Sequence, residues 1–168
     1  TNNTFSNELV EIGMKDPMYP KLLLETKDRP KKLYVLASKN NLEKFASLGE
    51  RVVAVVGTRK ITDYGRQVTV ELVSGLVSFG VTIVSGLMYG VDEVGHRAAV
   101  DFGGFTGGVW AGGIDTLFNT SRDNAAKRVL ESGVIVCEYE NGVVPQDWTF
   151  PRRNRIVAGM AQAVLVTE

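Results

Sequence analysis

The sequence has few of the residues that most often carry catalysis or cross-links. One cysteine, Cys137, occurs among 168 residues, so an internal disulfide is excluded and a reducing compartment is indicated. Cys137 ends an apolar run that begins at residue 133, which predicts a buried thiol. The single histidine, His96, has no second histidine and no neighbouring cysteine with which to share a metal ion. No metal site is therefore expected.

Net charge and long apolar runs are also absent. Lys plus Arg and Asp plus Glu each number 19, so no overall field attracts a polyanion, and nucleic-acid binding would need a local basic patch. No stretch reaches the roughly 18 apolar residues of a membrane-spanning helix, and the polar residues 1–4 do not look like a signal peptide. We therefore expect a cytoplasmic protein that has no membrane partner.

From residue 51 onward, strand-like and helix-like segments alternate. Apolar runs predict strands at 52–56, 81–84, 106–111, 134–138 and 163–166. Helices are predicted at about 72–79 after a turn at 63–65, at 92–102, at 121–131 with Ser121 as N-cap, and at 152–161 with Pro151 as the first residue. This order predicts a three-layer α/β fold, namely a Rossmann-like, open, mostly parallel sheet with helices on both faces.

Residues 1–50 are less regular than the rest of the chain. Turn signals at Asp16-Pro17 and Tyr19-Pro20 separate short apolar runs, of which residues 33–36 are strand-like. We expect a small N-terminal extension, residues 1–50, that docks on a main domain formed by residues 51–168.

Glycine-rich loops follow the first three strands of the main domain. Ligands of such sheets bind outside the carboxyl ends of the strands, where glycines let backbone N–H groups approach phosphate oxygens. The candidate residues are Gly57, Thr58, Arg59 and Lys60 in the first loop, Ser85, Gly86 and Gly90 in the second, and Gly113 in the third. The alternative is that these glycines only form tight turns. The Gly-x-Gly-x-x-Gly pattern of dinucleotide sites is missing, so no cofactor is predicted.

A basic segment follows the fourth strand. If Pro151 opens a helix, the next arginines lie in its first turn, where the helix dipole disfavours each cation by about 0.3–1 kcal/mol. A ligand phosphate would explain them. The candidate ligand-binding residues here are Arg152, Arg153, Asn154 and Arg155. The alternative is that Glu138 and Glu140 pair with these arginines and lock the loop.

Further side chains near the same edge leave two interpretations open. Four aromatic residues could stack an unpaired base if exposed, or could belong to the core; they are Tyr89, Phe118, Trp148 and Phe150. Asp92, after the second loop, is explained as well by helix N-capping as by a functional role. No catalytic group of residues is evident, so an enzyme is not expected.

Five segments together carry a resemblance to a known family. They are Val53 to Arg59, Ser85 to Leu87, Gly90 to Asp92 with His96 and Arg97, Gly113 to Asp115, and Phe150 to Ile156. In order and spacing they resemble the DNA-processing protein A family (DprA, also called Smf). The resemblance implies a Rossmann-like protein that binds single-stranded DNA without catalysis, helps to load the recombinase RecA during natural transformation, and forms dimers. It assigns the DNA pocket to Arg59, the Ser85–Gly86 loop and the arginines of residues 150–156.

The chain departs from the family pattern at three places. Met88 and Tyr89 stand where the family usually has Ala-Arg, which removes one positive charge from the rim. Residues 116–120 replace a usual Tyr-Pro-Pro stretch. The chain ends at Glu168, where family members continue, so a truncated main domain or a different assembly is expected.

Two other functions fit parts of the pattern. Rossmann-type phosphoribohydrolases, which act on nucleoside monophosphates, also carry glycine-rich loops, although residues 112–116 only partly match their Pro-Gly-Gly-x-Gly-Thr-x-x-Glu motif. A protein-binding regulatory module of the same fold would bind no nucleotide polymer. The main hypothesis remains a single-stranded DNA-binding protein.

Overall fold

A seven-stranded sheet organises the residues that the computed structural model describes, 6–49 and 51–168. The strands are β1 (Asn7–Gly13), β2 (Lys32–Ser38), β3 (Val52–Val56), β4 (Thr82–Gly86), β5 (Thr106–Val109), β6 (Gly133–Cys137) and β7 (Ala163–Val166). Their order across the sheet is β1-β2-β6-β5-β4-β3-β7. The strands from β6 to β7 are parallel, whereas β2 is antiparallel to both of its neighbours, β1 and β6. The predicted open, mostly parallel sheet is confirmed.

Helices cover both faces of this sheet. They are α1 (Lys21–Leu24), α2 (Lys39–Ala46), α3 (Asp63–Ser78), α4 (Val91–Asp101), α5 (Ile114–Leu117), α6 (Asp123–Glu131) and α7 (Thr149–Gly159). Neighbouring residues of a strand point to opposite faces. Accordingly, Ala54 packs in a core with α1, α2 and α7, whereas Val55 packs in another with α3 and α4. The three-layer prediction is therefore confirmed.

The N-terminal segment is part of the sheet. β2 pairs antiparallel with β6, from Tyr34 opposite Cys137 to Leu36 opposite Ile135, and β1 pairs with β2 along its whole length. The two strands of the N-terminal segment thus extend one edge of the sheet. Residues 1–5 and 50, which were predicted to belong to the extension, lie outside the described residues. The domain boundary at residue 50 stays a prediction.

Three helix starts differ from expectation. The turn expected at residues 63–65 is the first turn of α3, because Thr62 caps it by accepting a hydrogen bond from the N–H of Gly65 at 3.0 Å. Ser121 is not the N-cap of α6, which begins at Asp123. α7 begins at Thr149, so Pro151 is its third residue. Proline is tolerated there because the first N–H groups of a helix have no intrahelical partner.

Candidate functional site

A cavity of about 370 Å³ opens where the strand order reverses. The chain proceeds from β3 to β4 on one side and returns to β7 on the other, so β3 marks the switch point of the sheet. The carboxyl ends of β3 and β4, together with one side of α7, line the cavity. This is the position at which open α/β sheets bind their ligands.

Five of the predicted site residues line this one cavity. They are Gly57, Arg59, Gly86, Arg153 and Asn154. A Cβ atom at Gly86 would lie 2.2 Å from Nη1 of Arg153, so glycine is what allows the guanidinium to lie against the end of β4. The second loop therefore contributes space for an arginine from α7.

Arg153 lies at the base of the cavity. Its side chain is buried, with 4% of the residue exposed, and its Nη1 donates a hydrogen bond to the carbonyl of Val109. Burial lowers the pKa of its guanidinium from the usual value. No described carboxylate forms an ion pair with it. The carboxylate of Asp92 lines the same cavity and opposes this lowering of the pKa, but it forms no ion pair with Arg153. The guanidinium therefore still favours an anion at the cavity surface.

Arg59 adds an exposed positive charge at the mouth of the same cavity. Its guanidinium lies 5.8 Å from the ring centroid of Phe150, which also lines the cavity. Arg59, Lys60 and Gly90 also line a neighbouring shallow groove. Gly90 has φ +78°, and a Cβ atom there would lie 2.1 Å from the carbonyl oxygen of Thr58. The first and second loops are thus packed too closely for any other residue at position 90.

The other predicted residues lie outside the cavity lining. The hydroxyl of Ser85 donates to the Val55 carbonyl at 2.5 Å and is buried within the sheet. The N–H of Gly113 donates to Val143 at 2.8 Å, next to the loop after β6. Thr58 contributes backbone contacts, with its carbonyl accepting from the N–H of Val91 at 3.1 Å. Ser85 and Thr58 thus shape the loops that carry the cavity residues, whereas Gly113 lies in a loop that does not line the cavity.

Arg152 and Arg155 face the side of α7 away from the cavity. Nη2 of Arg155 donates to both carboxylate oxygens of Glu138 at 2.7 Å, and its Nε lies 3.0 Å from Asp28. Arg152 lies 3.8 Å from the same Glu138 carboxylate. The alternative in which an acidic residue locks these arginines is confirmed for Glu138. It is wrong for Glu140, which pairs with Lys32 at 3.0 Å.

Two residues near the cavity differ from their expected roles or were missed. Asp92 is not the N-cap of α4, since Gly90 holds that position, and the buried Asp92 lines the cavity instead. Arg122 lies beneath the ring of Tyr89, with 3.4 Å between its Cζ and the ring centroid. Nothing in the local sequence distinguishes Arg122, because the contact joins residues of two separate loops.

His96 and Cys137 are structural residues. The buried ring of His96 lies 2.8 Å from both the hydroxyl of Thr106 and the carbonyl of Gly86, and burial lowers the pKa of the imidazole. Burial raises the pKa of the Cys137 thiol to about 12. Across residues 6–49 and 51–168, no three His, Cys, Asp or Glu side chains are grouped so as to hold a metal ion. No helix in the same ranges has the length and apolar character needed to cross a membrane.

Comparisons with known sequences point to one family. The model of the family described as DNA recombination-mediator protein A matches residues 11–168. The Protein Smf of Synechocystis sp. is 37% identical over 153 residues, which is 91% of this chain and 38% of that protein. The DNA processing protein DprA of Bacillus subtilis is 32% identical over 157 residues, 94% of this chain and 51% of the relative. The chain thus spans about two fifths to one half of these relatives.

Solved structures give the same result. DprA from Streptococcus pneumoniae superposes with a TM-score of 0.80 at 30% identity, covering 95% of this chain and 54% of the other. DprA from Helicobacter pylori, described for its single-stranded DNA binding mode, superposes with a TM-score of 0.78 at 29% identity, covering 97% of this chain and 69% of the other. Both solved structures therefore share the fold of this chain.

Proposed function

This chain belongs to the DNA recombination-mediator protein A family, and on that premise we propose that it binds single-stranded DNA, without catalysing a reaction, in the cavity at the switch point of its sheet. One observation carries the proposal: the cavity holds two arginines, Arg59 and Arg153, that form no ion pair with any described carboxylate. Guanidinium groups of this kind suit phosphate, to which they donate in a forked geometry.

The shape of the site supports a polymer over a small nucleotide. Arg59 lines both the cavity and the neighbouring groove, and Lys60 lines the groove, so positive side chains extend beyond the cavity itself. Asn154 at the cavity mouth supplies a neutral amide. A nucleic-acid strand could thereby place successive phosphates along one rim.

The residues outside the cavity receive different proposed roles. Arg152 is exposed on the side of α7 that faces away from the cavity, and we propose that it meets a phosphate where the strand extends beyond the cavity. Arg155, Ser85, Thr58 and Gly113 are proposed to support the site through the contacts described above. Arg155 in particular is engaged by Glu138 and Asp28.

The wider biology is proposed on the family resemblance alone. We propose a role in DNA uptake and recombination during natural transformation, with a RecA-type recombinase as protein partner, a homodimer as the assembly and the cytoplasm as the location. Analytical ultracentrifugation and a RecA-loading assay on single-stranded DNA would test the assembly and the partner.

The binding proposal is tested by anisotropy titration of a labelled single-stranded oligonucleotide. We expect Arg59→Ala to weaken binding by about 10-fold or more, because hydrogen bonds to charged groups contribute about 1.5–3 kcal/mol. The slope of log K against log salt should fall by about 0.7 for the lost phosphate contact on a single strand.

A matched control is Arg97→Ala. Arg97 is an exposed arginine on α4, outside the cavity lining, and its partner Asp101 is 3.6 Å away. Competition with duplex DNA and AMP would separate a polymer site from a mononucleotide site. Binding by Arg59→Ala equal to that of the unmodified chain would show that the cavity is not the DNA site.

A further inference from the structure

We infer that Tyr89 is a stacking platform for one unpaired base, fixed in place from beneath by Arg122. This inference rests on the proposed binding of single-stranded DNA and names the part of the strand that the site recognises. Tyr89 contacts the base in this arrangement, whereas the arginines of the cavity contact the phosphates.

One face of the Tyr89 ring is covered by a cation. Cζ of Arg122 lies 3.4 Å from the ring centroid, a distance at which the guanidinium is in direct contact with the ring face. Arg122 is itself buried, and its Nη1 lies 2.8 Å from a carboxylate oxygen of Glu93. The guanidinium beneath the ring is therefore held by an acidic side chain.

The ring is also held at its edge. The hydroxyl of Tyr89 shares a hydrogen bond with the hydroxyl of Ser121, on the loop that carries Arg122. Two contacts from one loop thus fix both the tilt and the rotation of the ring. A preorganised aromatic surface loses little side-chain freedom when a ligand binds, which favours affinity.

The opposite face of the ring remains available. Tyr89 is 44% exposed although one face is covered by Arg122, so the exposed area belongs to the other face and the rim. The ring lines both the cavity and the neighbouring groove, and Arg59 lines the same two spaces. A strand whose phosphate meets Arg59 would bring an adjacent base to this ring.

Stacking on an open aromatic face selects for single strands. The faces of a paired base are covered by its neighbours in the duplex, whereas an unpaired base has a free face, and every base type can stack. The platform therefore predicts a preference for bases over a bare sugar-phosphate chain, with little preference among sequences.

The test compares a thymidine oligonucleotide with an abasic oligonucleotide of equal length and charge, at one salt concentration. The unmodified chain should bind the base-bearing strand more tightly by about 5- to 150-fold, the range for stacking one base on an aromatic side chain. Tyr89→Leu should lose most of this difference while its affinity for the abasic strand and its salt slope stay close to those of the unmodified chain. Tyr89→Phe, which keeps the ring and loses only the hydroxyl, should retain it.

Tyr64→Ala serves as the matched control, since Tyr64 is an exposed tyrosine on α3 that does not line the cavity. Thermal melts of all variants would detect misfolding, and Tyr89→Phe keeps the comparison informative if Tyr89→Leu does not fold. Equal discrimination by the unmodified chain and Tyr89→Leu would overturn the inference alone. A failure of the unmodified chain to bind either strand would overturn the proposed function together with it.

Discussion

The two sides of α7 use the same kind of residue for opposite purposes. On the inner side, Arg153 lies in the cavity without a paired carboxylate, and Asn154 lines the same space. On the outer side, Arg155 is engaged by Glu138 and Asp28. Three arginines within four residues of sequence thus supply a buried charge without an ion pair on one side and ion-paired charge on the other.

Helix geometry explains this division. Residues three apart lie on the same side of a helix, so Arg152 and Arg155 both approach Glu138. Arg153, one position after Arg152, is rotated by about 100° and points to the cavity. A count of arginines therefore overstates the charge that a ligand meets, and the carboxylates around each guanidinium decide its role.

We expect the largest effect, a loss of stability, when Glu138 is removed from the outer side of α7. In Glu138→Ala, Arg155 keeps only the exposed Asp28 as a partner. The side chains of Arg155 and Glu138 are 19% and 11% exposed in the unmodified chain, so water would compensate little for the lost carboxylate. Removing one member of this partly buried ion pair should lower the free energy of unfolding by up to about 3 kcal/mol. Urea denaturation followed by circular dichroism would measure this change.

A double-mutant cycle measures how much the pair of Glu138 and Arg155 contributes to the free energy of unfolding. The combined variant Glu138→Ala, Arg155→Ala should lose less stability than the sum of the two single changes, because it leaves no uncompensated charge. Glu140→Ala is the control, since Glu140 is exposed and pairs with Lys32, and its effect should be clearly smaller. Additive losses would mean that Glu138 and Arg155 do not stabilise the fold as a pair.

The sequence predicted the parallel part of the sheet well because most of its strands are largely apolar runs. Residues 52–56 are β3 as expected, and the glycine loops lie at the ends of β3 and β4 because parallel strands place their carboxyl ends at one edge. The pairing of Arg155 was left open because its partners, Glu138 and Asp28, come from other segments, and the side of α7 that meets them is set by tertiary packing. Arg122 was missed because its contact with Tyr89 depends on tertiary packing.

A smaller effect, on binding rather than folding, is expected from the inner side. Arg153→Gln should weaken binding of a single-stranded oligonucleotide by about 10- to 100-fold, because the charge at the base of the cavity is lost. Arg155→Gln should change the affinity of the folded protein by less than about threefold, since its charge is already neutralised by Glu138. Anisotropy titrations at a temperature where both variants are folded would make the comparison. Equal losses would show that the two sides of α7 do not differ in function.

The smallest expected effect is a pH dependence of stability that arises from His96, next to the inner side of α7. His96 supports the cavity because its ring contacts the carbonyl of Gly86, against which Arg153 packs. Burial lowers the pKa of His96 in the folded protein, whereas the unfolded chain should titrate near the usual value of about 6.5. Below that pH the unfolded chain binds a proton that the folded protein does not, so stability falls as pH decreases.

One histidine can contribute a slope of at most about 1.4 kcal/mol per pH unit to this loss. Carboxylates also titrate as the pH is lowered, so the quantity to measure is the difference between the unmodified chain and His96→Gln, in which the carboxylate contributions cancel. Between pH 7 and pH 5.5, the free energy of unfolding of the unmodified chain should fall more steeply than that of His96→Gln. Glu138→Ala, which changes only the outer side, should keep the histidine-dependent part of the slope. Parallel curves for the unmodified chain and His96→Gln would mean that the folded protein accommodates a charged imidazole beneath Gly86, and that the base of the cavity is more polar than its contacts indicate.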